Sequence, residues 1–78
     1  MTFEQFEKNV NMNYVAHTNK NNVCISFYKS EDCRFGMIVF VRKLKNGRYG
    51  MDRTHWTIGS KTFTNKKTFT NALKSIDL

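Results

Sequence analysis

The chain has 78 residues, of which 40% are hydrophobic, 14% aromatic and 24% charged. So short a chain hides only ~60–65% of its unfolded surface on folding, which argues against a deep, closed active-site cavity and leaves a surface, a groove or a rim. Thirteen lysines and arginines against six acidic residues give a net charge of +7.

That charge is unevenly spread. Residues 1–33 carry Lys8, Lys20 and Lys29 against Glu4, Glu7, Glu31 and Asp32, a net of −1. Residues 34–78 carry ten basic residues against Asp52 and Asp77, a net of +8. Such a field points to a polyanionic partner, either nucleic acid (RNA or DNA) or an acidic surface of another protein. The aromatic content is too high for a disordered basic tail. The absence of proline and the presence of only four glycines leave no room for a long linker. A single α+β domain over residues 1–78 is therefore expected. The first seven residues are acidic and lack the apolar core of a signal peptide. The longest apolar run, residues 37–41, falls far short of the ~20 residues that span a bilayer. These features predict a cytoplasmic protein without a membrane partner. Cys24 and Cys33 do not form a disulfide framework, and their spacing matches no common zinc site, so reduced thiols and no metal or cofactor are expected.

Thr2, with Gln5 three residues on, reads as a capping box, and Phe3, Phe6 and Val10 at helical spacing predict a short helix over residues 3–10. The asparagine-rich stretch 9–22 favours turns. Within it, residues 14–18 offer an optional strand turning at Asn19-Lys20-Asn21-Asn22, with His17 read as a loop residue. Residues 23–28 alternate and predict a strand; residues 35–44 are apolar and rich in β-branched and aromatic side chains and predict a central one. Asn46-Gly47 is a hairpin signal, with residues 49–58 as the return strand. Residues 61–64 offer a second optional strand. Asn65 caps a helix over residues 66–76, with Phe69, Ala72, Leu73 and Ile76 on its apolar side. The fold class is α+β: an antiparallel three- to four-stranded sheet with an N-terminal and a C-terminal helix, in the order α-β-β-β-α.

The candidate site is the basic hairpin, Arg42, Lys43, Lys45, Arg48 and Arg53, with Tyr49. A two-residue turn at Asn46-Gly47 pairs Leu44 with Tyr49 and Phe40 with Arg53. It places Ile38, Phe40, Arg42, Leu44, Tyr49, Met51, Arg53 and His55 on one face. Arginine binds phosphate and aromatic rings stack on unpaired bases, so that mixture suits nucleic acid. A three-residue turn with a bulge at Gly47 slips this register by one and moves Arg53 to the other face. A second basic group, Lys61, Lys66 and Lys67, surrounds the start of the last helix, where free N–H groups attract phosphate. Trp56 is expected in the core. His55 is read as a strand residue rather than a catalyst.

The order α-β-β-β-α, with Lys66 and Lys67 opening the last helix, resembles double-stranded-RNA-binding domains, in which such lysines grip phosphate. The segment Val41-Arg42-Lys43-Leu44-Lys45-Asn46-Gly47-Arg48-Tyr49, followed by Lys61-Thr62-Phe63-Thr64-Asn65 and a helix, is similar to the arm-binding domains of phage integrases. The short, Asn- and Lys-rich, proline-free composition resembles small early proteins of T-even-type phages, many of which bind and disable host enzymes. The expected function is a non-enzymatic nucleic-acid-binding module, with RNA favoured over DNA. The alternatives are a small phage-type inhibitor that blocks a host nucleic-acid-processing or defence enzyme in the host cytoplasm, and a small endoribonuclease using His55 with Arg53 or Lys43.

Overall fold

The computed structural model describes residues 1–76. The elements run α1 (Phe3–Asn9), β1 (Met12–Lys20), β2 (Val23–Ser30), β3 (Phe35–Lys43), β4 (Tyr49–Ile58), β5 (Lys61–Phe63) and α2 (Lys66–Leu73). The strands form one antiparallel sheet in the order β1-β2-β3-β4-β5. The α+β class with a helix at each end of the chain is as expected, but the sheet has five strands, because both optional strands form.

The first optional strand is longer than the asparagines suggested, and it includes His17. Asn21 and Asn22 occupy the left-handed region (φ 51° and 65°), and Lys20 pairs with Val23 across them. Asparagine tolerates that conformation, so the two residues make a tight hairpin turn and leave the rest of the segment free to pair. β1 is an edge strand, exposed along nearly its whole length. Its bulge at Val15, together with Asn13, Asn19 and Lys20, blunts an edge that would otherwise template further pairing.

Both helices begin at local caps. The Thr2 hydroxyl accepts from the Gln5 amide at 3.1 Å, and the Gln5 side chain accepts from the Thr2 amide at 2.8 Å. The Asn65 side chain accepts from the Lys67 amide at 2.7 Å. α2 stops at Leu73, earlier than its apolar spacing implied. Beyond it the amides of Lys74, Ser75 and Ile76 bond three residues back, and the Met1 nitrogen donates to the carbonyls of Leu73 and Ile76 at 3.1 and 2.8 Å. Tightened bonds and an outside donor satisfy the end of the helix in place of a further turn.

The core is small and lies at one end. Phe6, Phe35, Phe63, Phe69 and Leu73 are buried, with Met1, Phe3, Val10, Met12, Trp56, Ile58, Ala72 and Ile76 packed around them. Trp56 belongs here, stacked on Phe69 at 5.5 Å between ring centres and nearly parallel. Alternation along β3 and β4 places Phe35, Trp56 and Ile58 on the face that receives the helices. The molecule measures 43 × 23 × 22 Å. From Trp56 to Tyr49, β4 runs on for seven residues, about 23 Å of strand, past the last core side chain. The outer halves of β1 to β4 are thus a sheet with no helix on either face.

Candidate nucleic-acid interface

The hairpin that carries the basic residues solves a register conflict. The Gly47 amide bonds the Leu44 carbonyl at 3.0 Å, the Leu44 amide bonds the Arg48 carbonyl at 2.7 Å, and Gly47 takes φ 81°. This is the three-residue turn closed by a left-handed glycine, not the two-residue turn. The pairing near the tip is accordingly slipped, with Lys43 opposite Tyr49 and Val41 opposite Met51. A bulge at Asp52 then absorbs one residue, so that Phe40 pairs with Arg53 and Met37 with Trp56. Without that second shift Trp56 and Ile58 would point away from the helices, and the core would lose both.

The two compensating shifts redistribute the candidate residues. Arg53 stays beside Phe40, as the two-residue turn required, with its guanidinium 4.4 Å from the ring centre. His55 meets the same ring edge-on at 4.8 Å. Ile38, Phe40, Arg42, Arg53 and His55 therefore share the helix-free face, with Leu44 folded over Gly50 at the tip. Arg42 lies 3.8 Å from the Asp52 carboxylate, which the bulge carries towards it. Tyr49 and Met51 do not share this face: the slip turns them to the other one, alongside Lys43 and Val41. There Tyr49 is 61% and Met51 70% exposed.

The lysines around α2 do not join the hairpin. The Lys66 ammonium sits 4.3 Å from the Phe3 ring centre, and the Lys61 ammonium 5.3 Å from that of Phe63. Both lie over rings of the helical end, as cations on aromatic faces. Lys67 is exposed beside them. The nine candidate residues thus fall into two groups at different levels of the long axis, Arg42, Lys43, Lys45, Arg48, Tyr49 and Arg53 on the outer sheet and Lys61, Lys66 and Lys67 at the helical end.

Sequence reasoning missed one basic residue of the outer group. Lys20 closes the β1–β2 turn, and the neighbouring Asn22 carbonyl accepts from the Lys43 amide at 2.8 Å, so both hairpin tips lie side by side. Lys20 belongs to the acidic half of the sequence, and only the pairing of β2 with β3 brings it across. Residues 16–25 and 40–54 together carry six basic side chains against Asp52, a net of +5 on twenty-five residues. The other fifty-one described residues carry seven basic side chains against Glu4, Glu7, Glu31 and Asp32, a net of +3. Both ends of the molecule are thus net positive, and the outer end is the more densely charged.

Compared with known proteins, the chain matches no family model, no curated protein and no solved structure.

Two adjoining hollows of about 260 and 420 Å³ lie on the Tyr49 side of the outer sheet, sharing Asn19, Cys24 and Tyr49 in their linings. On the opposite, helix-free face an apolar depression is lined by Val15, Ala16, Phe27 and Ile38. The two histidines lie on opposite faces, since His17 pairs with Ser26 and His55 with Ile38, which is opposite Phe27. His17 accepts or donates at Nδ1 to the Tyr14 hydroxyl. Cys24 and Cys33 are free thiols at opposite ends of the sheet, the first half-buried on the outer sheet and the second exposed in the β2–β3 turn. Among the described residues no helix is long and apolar enough to cross a membrane.

Proposed function

We propose that the protein is a non-enzymatic module that binds nucleic acid, RNA in preference to DNA, with the outer end of its sheet. The observation that carries this reading is the net +5 on a part of the sheet that has no core to support. Exposed Tyr49 and Met51, and Phe40 under Arg53, supply ring and apolar surface among those charges. Unpaired bases, which RNA loops and ends present, stack on such surfaces, whereas a uniform duplex offers mainly phosphates. Lys20, Lys43, Lys45 and Arg48 contact the backbone, and each contact releases counterions. Filter binding of a short RNA is therefore expected to weaken steeply as salt rises from about 50 to 200 mM. An isotherm unchanged over that range contradicts the proposal.

A second reading draws on the apolar depression of the helix-free face, which suits a protein partner and would make the chain an inhibitor of a host enzyme, as its likeness in composition to small phage early proteins suggests. A protein retained by the immobilised chain after nuclease treatment favours that reading, and loss of all bound protein favours the first.

A further inference from the structure

On the Tyr49 side of the outer sheet, the register places small side chains in the middle and tall ones at the margins. Asn19, Cys24, Val41 and Met51 form one cross-strand row, and His17, Ser26, Val39 and Thr54 form the next. The centres of both rows, Cys24 with Val41 and Ser26 with Val39, are short side chains. Tyr49 stands at one margin and His17 and Asn19 at the other, and the hollows already described lie between them. Lys43 sits directly across from Tyr49, whereas Lys20, in line with Val23 and Arg42, edges the turn from the opposite face. The result is a trough floored by Cys24 and Val41, with an aromatic wall, amide and imidazole groups on the opposite wall, and Lys43 at its outer mouth.

We infer that this trough holds an unpaired base of a single-stranded nucleic acid, the ring lying against Tyr49 over Cys24 and Val41, with the adjoining phosphate held by Lys43. The inference rests on the nucleic-acid reading above and adds to it a site and a strand state. A base is flat and has an apolar face and a polar edge. The small-residue floor and the Tyr49 ring meet the face, and the Asn19 amide, which both donates and accepts, meets the edge. Charge complementarity selects this occupant over a neutral aromatic ligand. The entrance carries Lys43, and the nearest acidic side chain of the hairpin, Asp52, is turned towards Arg42.

The two cysteines give a test internal to the protein, since Cys24 lines the trough and Cys33 lies in the turn at the far end of the sheet. Alkylation by iodoacetamide is followed by peptide mass spectrometry, with the protein free, saturated with an eight-nucleotide RNA, or saturated with an abasic strand of the same length. Binding of each strand is measured in parallel by fluorescence anisotropy. The RNA is expected to slow alkylation of Cys24 and leave Cys33 unchanged, while the abasic strand binds without protecting Cys24. Tyr49→Ala is expected to weaken RNA binding by about tenfold or more and to leave abasic-strand binding and the salt dependence as they were, with Tyr49→Phe close to wild type. If both strands bind equally and Tyr49→Ala changes neither, the trough is overturned while the polyanion reading stands. If neither strand binds, the polyanion reading falls and the trough with it.

Discussion

At the scale of single residues, close approach and hydrogen bonding make two positions sensitive. Gly36 lies in β3 opposite Thr57, and a Cβ placed on it would clash with the Thr57 hydroxyl oxygen. Threonine is stiff at χ1, so its side chain has little room to turn away. Gly36→Ala is expected to cost about 1–3 kcal/mol in denaturant unfolding, and Thr57→Ala in the same chain to recover part of that loss. Purely additive losses in the double variant would contradict the contact. Asp32 sits in the β2–β3 turn, where its carboxylate accepts from the Ser30 hydroxyl at 2.7 Å and the Arg34 amide at 3.1 Å. These bonds, the Ser30 hydroxyl first, hold its pKa below the ordinary 3.8. A carboxyl depressed in the folded state adds stability that is fully present above its unfolded pKa and lost as pH falls through the folded one. Thermal unfolding is therefore expected to show a drop in midpoint below about pH 4 that is smaller in Asp32→Asn.

At the scale of elements, the helices and the sheet depend on one aromatic cluster. Phe69 is fully buried and meets Phe3, Phe6, Phe63 and Trp56 within 6.1 Å between ring centres. Phe69→Ala is expected to cost about 3–5 kcal/mol, enough to unfold much of a domain this small, as a collapsed far-ultraviolet dichroism melt would report. An unshifted melt would mean that α2 does not hold this end together. The elements were legible in the sequence where their causes are local. The capping box of Thr2 and Gln5, the Asn65 cap, and the alternation in β2 each depend on residues a few positions apart. β1 was harder to read, because its asparagines favour turns in isolation and become a strand only by pairing with β2. The end of α2 was misjudged for the same reason: the donor that satisfies Leu73 and Ile76 is Met1, at the other end of the chain. The hairpin register was open between two turns, and the observed strand uses both alignments in succession. Gly47 dictates the slipped pairing at the tip, the need to bury Trp56 dictates the unslipped pairing beyond, and the bulge at Asp52 joins them. A sequence names the two demands but not where the extra residue is stored.

At the scale of the whole molecule, charge and shape are organised along the same axis. One end holds the core and both helices and carries a net +3 spread over fifty-one described residues; the other is bare sheet carrying a net +5 on twenty-five. The basic hairpin was visible in the sequence because its charges are adjacent in the chain. The contribution of Lys20, and the separation of Lys61, Lys66 and Lys67 from the hairpin, depend on strand pairing and could not be read from charge runs. In the proposed interface the outer end, and not overall basicity, meets the polyanion, and fluorescence anisotropy of a short single-stranded RNA over a series of salt concentrations distinguishes the two. Two triple-alanine variants with the same change in net charge are compared with wild type, one replacing Lys43, Lys45 and Arg48 and the other Lys61, Lys66 and Lys67, each first shown to be folded by circular dichroism. The outer variant is expected to flatten the slope of log K against log salt by about 2, and the helical-end variant to leave it near the wild-type value. Equal slopes for the two variants, or a larger loss at the helical end, would contradict the account.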